Sequence, residues 1–158
     1  MGDVEQIEGS GEAGDSRIAL VVSRYNGFIV DRLLEGCLNT LTGAGVKRAN
    51  VRLIKVPGAF EIPVAVKSVA DRSNVDAIIT LGAVIRGETP HFDIIANECA
   101  RGIGSIAIET GLPIIFGVLT VDTVDQAMDR SGDEESNKGS EAAQAALEMI
   151  GVLGKIAE

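Results

Sequence analysis

Residues 85–93 read I-R-G-E-T-P-H-F-D and hold the only histidine of the chain, His91. Imidazole is the one side chain whose ordinary titration range spans neutrality, so its placement bears on any proton-transfer chemistry. Thr89 fits a helix N-cap and Pro90 the first helical position, which puts His91 in a first turn. Amides around Glu88 and Thr89 at such a terminus are free to receive an anion. The residues alone allow two readings. His91 is either a solvated residue of a helix cap or a proton-transfer group beside an anion cradle. With no second histidine, and with Cys37 and Cys99 lacking ligand spacing, no metal is expected.

Two cations could serve an anion or a carbonyl oxygen. Arg130 ends a short helical pattern, where positive charge is favourable for stability alone. Lys138 stands at the start of the last helical pattern, the wrong end for a cation, and residues set against local preference are more often functional. Glu61 opens a helical pattern, so capping and ligand contact compete for it. The aromatics are one Tyr and four Phe. Tyr25, Phe28, Phe60 and Phe92 fall just past predicted strand ends, and Phe116 lies inside the last strand. At such a rim they either stack on a planar ligand or plug the ends of the sheet.

The elements that must position these groups alternate in type. A polar segment up to Ser16 reads as a flexible arm. Strand patterns cover 18–22, 51–56, 77–81 and 114–121. Helical patterns cover 28–41, 60–71, 92–110 and 137–157, and Thr123 with Gln126 forms a capping box over a short helix. This order predicts one domain over 17–158. It is a three-layer α/β/α sandwich around a four-stranded parallel sheet of flavodoxin-like type. Ligands of such sheets bind beyond the carboxyl ends of the strands, where Tyr25, Asn26, Glu61, Glu88 and His91 all fall.

Composition removes several function classes. The net charge is −9, and Asp3, Glu5, Glu8, Glu12 and Asp15 of the arm supply −5 of it. A broad positive field is missing, so neither nucleic acid nor an anionic membrane is an expected partner. Cys37 and Cys99 read as buried reduced thiols, no run is long enough to span a membrane, and the expected compartment is the cytoplasm. Gly102-Ile103-Gly104 is mid-helix and is no dinucleotide fingerprint.

Four separated stretches carry a resemblance: V-P-G-A-F-E-I-P (56–63), G-A-V-I-R-G-E-T-P-H-F-D (82–93), F-G-V-L-T (116–120) and N-K-G-x-E-A-A (137–143). In order and spacing, from about Arg17 to Ile156, the chain resembles the 6,7-dimethyl-8-ribityllumazine synthase family. The resemblance implies condensation of 5-amino-6-(D-ribitylamino)uracil with 3,4-dihydroxy-2-butanone 4-phosphate, a transferase reaction needing no cofactor. It implies that Tyr25, Asn26, Ala59, Phe60, Glu61, Ala83, Val84, Ile85 and Phe116 bind the pyrimidine and its ribityl chain. Glu88, Thr89 and Arg130 would hold the phosphate, and His91 and Lys138 would serve catalysis. Phe116, Arg130 and Lys138 match positions supplied by a neighbouring subunit. A homo-oligomer is implied: a pentamer, with assembly of pentamers into an icosahedral capsid open to it, and with the arm adding an edge strand to the adjacent sheet. Association with riboflavin synthase is a further partner the resemblance allows.

Two departures stand out. Tyr25 replaces a more usual Phe or Trp, and S-G-D-E-E-S (131–136) replaces a loop that often carries a basic residue and a further glycine. Among other classes, a flavodoxin-type flavin module would need a Ser/Thr/Gly-rich phosphate loop where Ser23-Arg24-Tyr25-Asn26 stands. A response regulator would need acids there. A flavin-binding or shell-forming relative without catalysis is the remaining alternative, and the presence of His91, Arg130 and Lys138 speaks against it.

Overall fold

The computed structural model describes residues 2–158; Met1 and the side chain of Glu134 lie outside that description. Four strands are laid down in turn: β1 (Ile18–Ser23), β2 (Val51–Val56), β3 (Ala77–Ile85) and β4 (Ile114–Val121). All pair in parallel, in the order β2-β1-β3-β4. The helices are α1 (Gly27–Gly43), α2 (Ile62–Arg72), α3 (His91–Thr110), α4 (Val124–Arg130) and α5 (Lys138–Ile156).

Strand alternation divides the core in two. Ile18, Leu20 and Val22 of β1, with Ile79 and Leu81 of β3, pack under α1 and α5 beside Leu33, Cys37 and Leu147. Ala19 and Val21, with Ile78, face Ile62, Val66, Cys99 and Ile103 of α2 and α3. A sheet with helices on both faces is the predicted sandwich. Burial pushes the thiol of Cys37 up to about 12 and that of Cys99 up to about 11, one on each face of the sheet.

Several boundaries moved. β3 runs to Ile85, past the expected end at Leu81, because 82–85 continue the ladder against Val118–Val121 of β4. Gly82 is a strand residue there: a Cβ would lie 2.7 Å from Ser23 Oγ of β1. α3 begins at His91 with Pro90 as its N-cap, one residue before the helical pattern and one after the start that capping by Thr89 would give, and no side chain caps it in the usual way. Thr89 Oγ1 accepts only a long 3.4 Å bond from the His91 amide. Residues 59–61 form a 3-10 turn, so Glu61 precedes α2 and its carboxylate caps nothing. The capping box of α4 is built as expected in one direction, Thr123 Oγ1 accepting from the Gln126 amide at 3.1 Å. The return bond of Gln126 reaches the Asp122 amide at 2.7 Å.

The described part of the arm lies along α5 of its own chain. Lys155 Nζ donates to the Glu8 carbonyl at 2.6 Å, and Ala13 is buried. No strand forms in it among the described residues.

Candidate active site

The sheet order makes β1 and β3 neighbours while the chain leaves β1 for β2 on the far side. That reversal opens a crevice at the carboxyl ends of β1 and β3. Asn26 ties its two walls together. It is the only non-glycine residue with positive φ among those described, at φ 58 and ψ 42. Its Nδ2 donates to the Ala83 carbonyl at 2.9 Å, which holds the loop after β1 to the end of β3. Asn is among the few side chains that tolerate this conformation.

The crevice is a cavity of about 610 Å³, a size suited to a small-molecule ligand. Tyr25, Asn26, Ala59, Phe60, Glu61, Ala83, Val84, Ile85, Thr89 and His91 all line it. Tyr25 and Phe60 are 74% and 55% exposed, so their ring surface is open to a planar partner. Phe28 is also exposed but lies outside this cavity. Phe92 also lines the cavity, but the Arg86 guanidinium lies over its ring at 4.3 Å and the residue packs against the core below α3. Tyr25 and Phe60 thus offer open ring surface, while the Phe92 ring is partly covered and packed.

His91 is the first residue of α3 and is exposed at the rim. Among the described hydrogen bonds the amides of Gly87, Glu88 and Thr89, just before it, have no acceptor. They form an open anion-accepting turn beside the imidazole. Glu88 itself is exposed and does not line the cavity.

Sequence reasoning missed what holds this turn. Arg86 Nε donates to Asp122 Oδ1 at 2.9 Å, and its NH1 pairs with Asp93 at 3.4 Å. Arg86 thus links the end of β4 to the first turn of α3, the turn that His91 opens. Asp122 first, and Asp93 after it, raise the affinity of the Arg86 guanidinium for its proton. A cation between two acids at strand and helix ends was the available signal. Pro57, Gly58 and Ile95 also line the cavity unforeseen.

Phe116, Arg130 and Lys138 are not brought to His91. They line a second cavity, of about 450 Å³, on β4 and α5, and the two cavities share no residue. Lys138 Nζ lies 2.8 Å from Glu141 Oε2, so the charge that looked misplaced at a helix start has a local partner. Arg130 NH1 donates to the Gln126 carbonyl at 3.1 Å, as suits a cation in a last helical turn. Among the described residues, no group of three or more His, Cys, Asp or Glu is placed to hold a metal ion, and no helix is long and apolar enough to cross a membrane.

The family model described as 6,7-dimethyl-8-ribityllumazine synthase matches residues 15–154. The chain belongs to that family. Membership connects this lumazine synthase fold to riboflavin biosynthesis, to small-molecule substrates and to oligomeric assembly in general. The match begins within the arm, so almost all of the sandwich falls inside it.

Proposed function

We propose that the protein condenses 5-amino-6-(D-ribitylamino)uracil with 3,4-dihydroxy-2-butanone 4-phosphate to 6,7-dimethyl-8-ribityllumazine, releasing phosphate and water. The observation that carries this reading is the meeting of open aromatic surface, strand-end backbone, an unpaired amide turn and His91 in one cavity. Tyr25 stacks on the pyrimidine, and the backbone of Ala83, Val84 and Ile85 reads its edge. Ala59, Phe60 and Glu61, with Asn26 beneath them, form the wall for the ribityl chain. Phe116 of a neighbouring subunit closes the pyrimidine side.

The amides of Glu88 and Thr89 hold the phosphate from one side and a neighbour's Arg130 holds it from the other. The amine of the pyrimidine attacks the ketone to give an imine and water. Loss of the C3 proton then expels inorganic phosphate from C4 and leaves an enol, which tautomerises to a ketone at C3, and the ribitylamino nitrogen closes on that ketone with loss of water. His91 carries protons between these groups, and a neighbour's Lys138 supports it at the developing oxyanion. Confining two substrates to one pocket removes much of the entropic barrier. The reaction is a cytoplasmic transferase step with no electron transfer.

Mixing the two substrates with the protein and following lumazine absorbance tests the activity. No lumazine above the uncatalysed rate overturns it, and flavin binding without turnover would identify a non-catalytic relative. In the same assay His91→Ala folds normally and slows turnover by about 10- to 100-fold. General acid–base help is worth up to about 10⁴-fold, and an intrinsically reactive amine and ketone need less of it. Undiminished turnover at saturating substrate would remove the proton-transfer role.

Two half-sites on one chain fit a ring in which each chain's β4–α5 cavity completes the next chain's crevice. The ring is a pentamer, in which the arm leaves α5 of its own chain to add a strand to a neighbour's open β2 edge, where Leu53 is exposed. Pentamers assemble further into an icosahedral shell that can admit riboflavin synthase. Asp133 and Glu135 flank a turn at the surface of this loop, so the acids of 133–135 repel where pentamers meet. The shell fraction should therefore rise with salt. Light scattering across a salt series checks this, and a lone pentamer at every salt concentration would remove the shell.

A further inference from the structure

One side chain holds shut the turn between α4 and α5. Asn137 is 2% exposed. Its Oδ1 accepts from the Gly139 amide at 2.8 Å and the Ser140 amide at 3.1 Å. Its Nδ2 donates to the carbonyls of Arg32 and Gly132, both at 3.0 Å. A reversed carboxamide would set donors against donors, so the pattern fixes its orientation. The backbone of Asn137 forms an isolated antiparallel bridge with Ser131, and Arg32 Nε donates to the Ser131 carbonyl at 2.8 Å. The carboxamide fits a notch on α1 that only glycine leaves open, since a Cβ on Gly36 would lie 2.5 Å from Asn137 Oδ1.

The residues at the two ends of this turn are Arg130 and Lys138. Both are exposed, and their described polar contacts are to their own helices, Gln126 and Glu141. Nothing in those contacts sets the distance between α4 and α5. The clamp through Asn137 does, by binding the closing residue of the turn, its interior at Gly132 and the adjacent helix at Arg32.

We propose that Asn137 is a positioning residue for the phosphate site: it fixes Arg130, in the cavity it shares with Lys138, at the place from which it holds a phosphate monoester. The proposal rests on the reading in which Arg130 contacts the substrate phosphate. Asn137 itself touches no substrate.

The test measures binding of inorganic phosphate to the purified full-length protein in its native assembly, by calorimetry, for wild type, Asn137→Ser, Arg130→Ala and the double variant. Serine keeps a helix-capping oxygen and adds no charge, but its single, shorter O–H cannot replace the two donations to the Arg32 and Gly132 carbonyls. Asn137→Ser is expected to raise the dissociation constant about tenfold, because displacement on the ångström scale is costly at a charge-assisted contact. The double variant should then bind within about twofold of Arg130→Ala alone, since a residue acting through Arg130 has nothing left to position. Unchanged affinity in Asn137→Ser, or losses that simply add, would overturn the proposal. So would a wild type that binds no phosphate. A wild type that shows the expected cycle but makes no lumazine would overturn the proposed reaction and leave the clamp standing. Should Asn137→Ser not fold, Arg32→Met removes the tie to Ser131 with little change in bulk, and a weakening of about threefold with the same non-additivity is expected; its absence counts against the clamp.

Discussion

Co-expressed in equal amounts, His91→Ala and Arg130→Ala chains are expected to regain about a quarter of wild-type lumazine formation, although each alone is nearly silent at low substrate. The expectation follows from the separation of the two cavities. A site that draws His91 from one chain and Arg130 from the next is intact when the first is not the histidine variant and the second is not the arginine variant. Random mixing satisfies each condition half the time. If both residues served the same site from one chain, every chain in the mixture would carry a defect and nothing would be regained. Assaying the co-purified hetero-oligomer, with two different tags to prove mixing, gives the answer. Activity no higher than the mean of the two parents would defeat the shared site.

Gly139→Ala is expected to cost about 3 kcal/mol, the upper end for forcing atoms into a packed interior. A Cβ at Gly139 would fall closer to the Leu33 carbonyl oxygen than real Cβ atoms ever sit, and 2.9 Å from Asn137 Oδ1. The obstacle is backbone of α1, which no rotamer change can move aside. α5 must back away from α1, and Leu147 and Cys37 between them lose their packing. For a chain of this size the melting temperature should fall by roughly 6–12 °C. Gly154→Ala in the same helix meets nothing within 4 Å and should be stabilising by about 0.5 kcal/mol through helix propensity. Thermal unfolding of the two variants side by side checks the sign of each. Equal melting temperatures would show that α1 and α5 have room to give.

The two substitutions look alike in the sequence, and this shows where sequence reading ends. Alternating apolar runs and helical periods gave four strands in the right order and the layers around them, because those patterns are set by burial on two faces. The end of β3 was missed because Gly82 reads as a turn until Ser23 is seen against it. Ten of the expected site residues share one cavity because they lie at or past the carboxyl ends of β1, β2 and β3, where the fold rule applies. The clamps formed by Arg86 and Asn137 were not legible, since their partners are distant in the chain: Asp122 for one, Arg32 for the other. Lys138 was read as misplaced because its pairing with Glu141 competes with a helix-end rule that says nothing of side-chain partners.

Cys37 and Cys99 lie in different layers, within α1 and within α3, and burial holds both as neutral thiols well above physiological pH. An alkylating reagent therefore meets a reactive thiolate only after a layer has come away from the sheet. The native chain thus carries two internal chronometers, each timing the exposure of one face. Following which peptide acquires the label first would reveal the order in which the molecule comes apart, with no probe introduced.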